Sequence, residues 1–355
     1  MSRPEHDDPT GGFRTVFGRG LIEELPNFAH QPYLVVTMED LWPMFDDRLG
    51  GLAAGVHIVR TIDVDELELE LEVLPEFEAV IGLGGGRAVD VAKFIAWRRR
   101  RPLFQVPTAM TVNAPFGHRA GLRHRGEVRY MGWAIPEAVY VDFDVIQSAP
   151  ALLNRSGVGD ILCYHTAHRD WELARDHRSE ESRWPFDPTL ITGARAQLDL
   201  VMAGLDDIRE VNESGIRTLM TAHRWGGATF HDSGWNPRHI EGVEHFFFYN
   251  LERLTRRHFI HGQPVGLGIY VGSLLQDNEA DRMLSALHRV GVDIRPEAMG
   301  VTWTEVAQCL ESLRDFVQRS GLWFTVANTV SIPSSFVDRV RDGVTALYGS
   351  WEGRT

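Results

Sequence analysis

The sequence predicts two domains of different class: a doubly wound, parallel α/β domain over residues 1–148, then an all-α domain over residues 149–355. Three observations carry this. Short β-rich runs alternate with helical stretches in the first part. After Ser148-Ala149-Pro150 the texture changes to long amphipathic stretches in which Leu, Ala and Arg replace Val and Ile. The chain has 355 residues and 43% hydrophobic content, long for one compact core and comfortable for two.

The elements follow in order. Strands are expected at residues 33–37, 57–61, 79–83, 103–107 and 138–142, where β-branched and aromatic residues cluster. Helices are expected between them, at 22–28 and 88–98. In the second part, helices are expected at 156–175, 188–203, 214–229, 241–257, 262–276, 277–290, 303–319 and 334–347. Residues 185–188 and 233–237 read as loops.

Composition excludes several classes. The 36 Lys+Arg against 49 Asp+Glu leave a net charge of −13, without the basic footprint of a nucleic-acid binder. Two cysteines, Cys163 and Cys309, make no disulfide framework. No apolar run approaches the roughly 18 residues of a membrane span. The acidic first dozen residues lack a signal-peptide plan, so a cytoplasmic protein is expected. Lys93 is the one lysine of the chain; every other residue counted as Lys or Arg is Arg. A compact ammonium in a chain that otherwise uses Arg points to a crowded site where a guanidinium does not fit.

The sharpest local feature is Gly82-Leu83-Gly84-Gly85-Gly86-Arg87-Ala88-Val89-Asp90, which ends a buried strand and opens a helix. Glycines there let backbone N–H groups approach an anion, and the helix dipole favours a phosphate. A plain strand-to-helix turn is the alternative. It is not a Walker A loop, because no Gly-Lys-Ser/Thr follows. Three further features lie in the helical part: Asp160 in Ser156-Gly157-Val158-Gly159-Asp160, His245 in Glu241-Gly242-Val243-Glu244-His245, and His261 in His261-Gly262-Gln263-Pro264. One Asp and two His can form a three-ligand divalent metal site with an open position. Spacing alone does not establish it, because no two lie at i, i+4. Asp160 as a helix N-cap, and other histidines such as His165, His168 and His239, compete.

These pieces resemble the iron-containing alcohol dehydrogenase and dehydroquinate synthase-like superfamily, most of all its sn-glycerol-1-phosphate dehydrogenase branch, with glycerol dehydrogenases next. The resemblance runs from Phe17-Gly18-Arg19-Gly20 through Gly84 to Lys93, Val106-Pro107-Thr108, Gly157-Val158-Gly159-Asp160, Asp170-Trp171, Arg238 to His245, and His261 to Gly266. It implies an α/β Rossmann-like N-terminal domain plus an all-α C-terminal domain, with nicotinamide cofactor and metal in the cleft. It implies cofactor contacts at Gly84, Gly85, Gly86, Arg87, Asp90, Thr108 and Thr111. It implies metal ligation by Asp160, His245 and His261, for Zn, Fe or Ni. Lys93 and Asn113 are counted with them as candidate catalytic groups.

The resemblance also marks departures. Asn113 stands where the branch carries an Asp that meets substrate hydroxyls, so the group here is uncharged. His239 and Glu241 change the Arg-Pro-Ala-Ser-Gly run and reshape the pocket. Asp160, where the cyclases of the superfamily carry Glu, favours net hydride transfer over a sugar-phosphate cyclase, which is the alternative. The expected activity is a metal-dependent interconversion of a small polar alcohol and its ketone or aldehyde with NAD or NADP. Glu39, after the strand at 33–37, would bond ribose hydroxyls and favour NAD. The basic segment His118, Arg119, Arg123, His124 and Arg125 offers an anion contact, Arg119 foremost, or else a solvated hairpin. Arg238 is a further candidate for substrate binding. The partner expected is an anionic or polyhydroxylated small molecule, met by a homo-oligomer.

Overall fold

The computed structural model describes residues 5–6, 12–28, 30–125 and 127–352. The chain divides into two compact units. The first comprises residues 1–150 with 223–234, and the second residues 151–222 with 235–355. The expected domain at 149–355 did not foresee the segment 223–234 joining the first unit.

The first unit is built on a seven-stranded sheet: β1 (Glu5–His6), β2 (Arg14–Gly18), β3 (Tyr33–Thr37), β4 (Ala53–Ile58), β5 (Ala79–Gly84), β6 (Leu103–Pro107) and β9 (Ala138–Asp142). Strands β7 (Ala120–His124) and β8 (Glu127–Met131) form a separate antiparallel hairpin. The sheet order is β1-β2-β9-β6-β5-β3-β4, parallel except for the β1–β2 pair. Strand alternation sends Tyr33 and Val35 to one core layer and Leu34 and Val36 to the other. The first layer is capped by α1 (Leu21–Phe28) and α2 (Asp46–Leu49), and Tyr33 donates its hydroxyl to the Leu49 carbonyl at 2.8 Å. The second layer is capped by α3 (Val64–Leu71) and α4 (Gly86–Arg99). Helix α5 (Phe143–Ser148) closes the unit, capped by the Asp142 carboxylate on the Asp144 amide.

Topology fixes where a ligand can bind. From β3 the chain moves outward to β4, then returns to the other side of β3 for β5 and continues through β6 to β9. The order therefore reverses between β3 and β5. In open α/β sheets the crevice at the carboxyl ends of such a pair is where ligands bind.

The second unit is helical: α6 (Ala151–Ser156), α7 (Gly159–Leu162), α8 (Tyr164–Asp176), α9 (Pro188–Ala203), α10 (Leu205–Glu210) and the start of α11 (Glu213–Asp232). It continues through α12 (Val243–Thr255), α13 (Gly262–Leu275), α14 (Ala280–Val290), α15 (Trp303–Glu311), α16 (Leu313–Arg319) and α17 (Phe336–Tyr348). The helix expected at 156–175 is three pieces, broken at Gly157-Val158 between α6 and α7 and at Cys163 between α7 and α8; α12 and α13 pack against each other over most of their length. Among the described residues no helix is long and apolar enough to cross a membrane.

Candidate active site

The α/β unit presents its backbone. Strand β5 is wholly buried and ends at Gly84, whose φ of +153° suits only glycine. A Cβ there would also lie 2.7 Å from the Ala88 Cβ, so strand and helix approach this closely only without a side chain. Gly85 then caps the 14-residue helix α4 with no side-chain hydrogen bond. The first amides of α4 are therefore left as donors beside the switch point, the arrangement that receives a phosphate. Thr108, buried at the end of neighbouring β6, donates its amide to the Gly84 carbonyl at 3.2 Å. Thr111 is half-buried in the following segment, and Glu39 is exposed two residues beyond β3. Gly84, Gly85, Gly86 and Glu39 thus flank the same crevice. Arg87 points out, with its guanidinium on the Arg60 carbonyl at 3.2 Å.

Asp90 and Lys93 pair inside that unit. Lys93 is 2% exposed, and its ammonium meets the Asp90 carboxylate at 2.7 Å and the carbonyls of Ala114 at 2.9 Å and Arg119 at 2.6 Å. An ammonium has three donors, and these partners use all three. Burial raises the Asp90 carboxyl, while Lys93 and the Gly121 amide oppose the rise. Lys93, counted among the candidate catalytic groups, braces through these contacts the segment that carries Asn113 and Arg119. Asp90 likewise faces this brace and the β7–β8 hairpin. The basic segment forms that hairpin, and Arg123 donates its amide to the Ile62 carbonyl at 2.8 Å. Asn113 begins a tight turn and accepts the Phe116 amide on its carbonyl at 2.9 Å. Arg119 is half-buried at the entry to β7.

The helical unit presents side chains. One ligating atom from each of Asp160, His245 and His261 lies within 4.8 Å of the others. His261 Nε2 is 2.7 Å from Asp160 Oδ1, and His245 Nε2 is 3.8 Å from the same oxygen. Backbone contact makes this possible. A Cβ on Gly262 would lie 1.7 Å from the Ser156 carbonyl oxygen, and one on Gly159 would lie 2.9 Å from the Gly262 Cα. The start of α13 therefore rests on α6 and α7, which sets His261 against Asp160.

His245 is oriented from behind. Its Nδ1 meets Glu244 Oε1 at 2.9 Å, and Glu244 receives Thr166 Oγ1 and the Gly242 amide, each at 2.6 Å. This leaves Nε2 facing Asp160, the way a histidine ligand is aimed by a carboxylate behind it. Burial alone would raise the Asp160 carboxyl, but His261 and His245 outweigh it and hold it well below the usual range. Burial would likewise lower the His245 imidazole, yet Asp160, Glu244 and Glu241 push it up to about 10. Three carboxylates thus share two imidazoles, an excess of negative charge in a desolvated place. The donor set and its spacing fit a divalent cation.

A second group of possible ligands, Cys163, Glu244 and His245, shares His245 with the first. Cys163 Sγ sits 3.2 Å from the Asp160 carbonyl and 3.0 Å from that of Ile240, and burial holds its thiol well above the usual range. It fills space as a neutral thiol. His239 is fully buried and pushed down to about 3 by desolvation. A separate cavity of about 290 Å³ behind α8 is lined by Arg169, Arg195 and Arg282, each matched by Glu172 or Glu279. Arg238, the further candidate for substrate binding, lies deep in the helical unit. It is 1% exposed, donates to the carbonyls of Phe324 at 2.6 Å and Asp170 at 3.4 Å, and faces Glu181 at 3.6 Å. It braces the helical unit from inside.

The sheet order with its glycine strand end, and the carboxylate–imidazole cluster of the helical unit, supply the parts that a metal-assisted nicotinamide enzyme needs. Residues 45–150 match the family model described as iron-containing alcohol dehydrogenase. The chain is 30% identical over 331 residues to a glycerol-1-phosphate dehydrogenase [NAD(P)+] of Thermofilum pendens, covering 90% of this chain and 93% of the relative. It is 28% identical to a protein of the same name from Methanosarcina barkeri, covering 71% and 70%. A solved structure of a probable glycerol dehydrogenase from Sinorhizobium meliloti superposes with a TM-score of 0.69 at 20% identity, covering 94% of this chain and 96% of that one. The chain belongs to the iron-containing alcohol dehydrogenase family.

Proposed function

We propose that this chain, a metal- and NAD(P)-dependent alcohol dehydrogenase by family, reduces a small hydroxylated ketone, with dihydroxyacetone phosphate the first candidate. The observation that carries the reading is the Asp160, His245 and His261 cluster, whose ligating atoms lie within 4.8 Å of one another. The name shared by its archaeal relatives supports the choice of candidate.

In this reading Asp160, His245 and His261 hold one divalent metal, and Glu244 fixes the tautomer and orientation of His245. When bound, the metal supplies Lewis-acid polarisation of an alcohol or ketone oxygen, and the nicotinamide supplies the hydride. Gly84, Gly85 and Gly86 receive the cofactor pyrophosphate on the free amides of α4. Glu39 accepts hydrogen bonds from ribose hydroxyls and repels a 2′-phosphate, which favours NAD over NADP. Thr108 and Thr111 line the cofactor segment, and Lys93 keeps Asn113 and Arg119 in place beside it. The deep commitment of Lys93 within its own unit weighs against a lysine-dependent cyclase.

The test is dihydroxyacetone phosphate-dependent oxidation of NADH and NADPH by metal-analysed protein, beside Asp160→Ala and His261→Ala. Net turnover with NADH preferred, lost in both variants, is the expected result. Stoichiometric metal and bound cofactor without net NADH or NADPH consumption by any small ketone would overturn the dehydrogenase reading.

A further inference from the structure

Asp170 is enclosed in the helical unit at 1% exposure, on α8 one turn after Thr166 and on the same face. Its carboxylate spans two helix starts. Oδ2 accepts the amide of Val243, the first residue of α12, at 2.7 Å. Oδ1 accepts the amide of Val326, the first residue of a single helical turn at Val326–Asn328, also at 2.7 Å. The first amides of a helix have no partner within it, and a carboxylate there satisfies a donor and suits the helix dipole. Such a cap is normally the residue just before the helix. In α12 that residue is Gly242, which offers no side chain. Asp170 supplies the acceptor from 73 residues away.

The fit around this cap is close. A Cβ on Gly242 would lie 2.6 Å from Asp170 Oδ2 and 3.0 Å from Glu244 Oε2, so the two carboxylates crowd one backbone position. Burial and Glu244 push the Asp170 carboxyl up to about 7, against the pull of the Val326 and Val243 amides and of Gln276. Thr166 donates to Glu244 at 2.6 Å, so α8 grips the first turn of α12 twice. His245 lies in that turn, two residues beyond Val243. Asp160 lies in α7, just before α8. Glu244 thus holds the His245 ring, while Asp170 ties the backbone that carries the ring to the stretch of chain that carries Asp160.

We infer that Asp170 is a positioning residue: by capping α12 from α8 it sets where the His245 imidazole stands relative to Asp160. The inference rests on the reading of Asp160, His245 and His261 as the metal ligands.

The experiment uses two variants and their combination. Asp170→Asn keeps the volume but offers one acceptor oxygen to two amides. Val243→Pro removes the α12 amide and leaves the carboxylate, at the first helical position, where proline is tolerated. Four quantities are measured at about pH 8, where the Asp170 carboxyl is ionised: Zn²⁺ affinity by chelator competition, the visible bands of the Co²⁺-loaded protein, the ring-nitrogen NMR shifts of His245 without metal, and stability in urea. Each variant is expected to bind Zn²⁺ about tenfold more weakly or worse, with altered Co²⁺ bands and moved His245 shifts. The double variant is expected to be no weaker than the worse single one, because both remove the same hydrogen bond. A residue that only stabilises the fold would lower stability in urea and leave the other three readouts as in the wild type; that result overturns the inference, and so do additive losses in the double variant. If Asp170→Asn does not fold, Val243→Pro decides by the same three readouts. Wild-type protein that takes up no Zn²⁺, with His245 shifts still moved in the variants, overturns only the metal reading. Zn²⁺ uptake that depends on Asp160 and that neither variant weakens overturns only the inference.

Discussion

At the end of β5 the donors are backbone amides of consecutive residues, made available by the absence of side chains. In the helical unit the donors are side chains of residues 160, 245 and 261, brought together by helix contacts. A backbone site depends on local shape and tolerates most sequence changes that add no bulk. A side-chain site depends on each residue by identity and on whatever orients it. The two should therefore fail differently, and four changes test this.

Asp160→Ala removes the charged member of the cluster. Activity should fall by about 10³-fold or more, and metal should be lost, while NADH affinity measured by fluorescence stays within a factor of two or so. Lost NADH binding would break the division of labour.

Lys93→Met leaves Asp90 buried without its cation. A stability loss of about 3–5 kcal/mol is expected by urea denaturation. The Asp90 carboxyl is already raised by burial, so its folded state holds the proton more tightly than the unfolded chain. Stability from this group therefore falls as pH rises above the unfolded carboxyl value, about 3.9. The gap between variant and wild type should narrow as pH drops toward that value.

Glu244→Gln keeps the size of the group behind His245 and weakens its grip. Metal affinity is expected to drop about 10- to 100-fold in a chelator competition. An unchanged affinity would mean that His245 needs no aiming.

Gly84→Ala forces a side chain into a φ that costs about 1–3 kcal/mol. NADH binding should weaken by about tenfold for each 1.4 kcal/mol, with metal content unaffected. A loss of metal instead would show that the backbone site is not independent of the side-chain one.

The same contrast explains what the sequence makes legible. Strands rich in β-branched residues stand where expected: β3, β6 and β9 match residues 33–37, 103–107 and 138–142. Strand β4 does not. It spans Ala53–Ile58 rather than 57–61, because pairing with β3 recruits Ala53 to Gly55, which carry no strand signal of their own. Strand β2 passed unnoticed for a similar reason, since its place is secured by β9. The glycine run at residues 84–86 is local and therefore readable.

Asp160, His245 and His261 share no spacing that marks one face of one helix, so the residues alone offered them only as one candidate set beside other histidines, and the resemblance chose among them. Glu244 was visible as a neighbour of His245, but its role needs the coordinates of Thr166 and Gly242. Arg238 drew attention because a charged residue in a functional motif suggests contact with a ligand. Here it serves the packing of three distant segments instead. The rarity of Lys93 pointed correctly to crowding, but could not say which groups crowd it.

That rarity has a practical side. The chain holds a single lysine, and it is enclosed beneath the β7–β8 hairpin at 2% exposure. Amine-reactive labels and lysine-specific proteases have no other side-chain target, so each molecule cut or tagged at residue 93 records one opening event. The protein carries its own single-site reporter of local unfolding on the helix that the glycine loop opens, readable by mass spectrometry without any engineered probe.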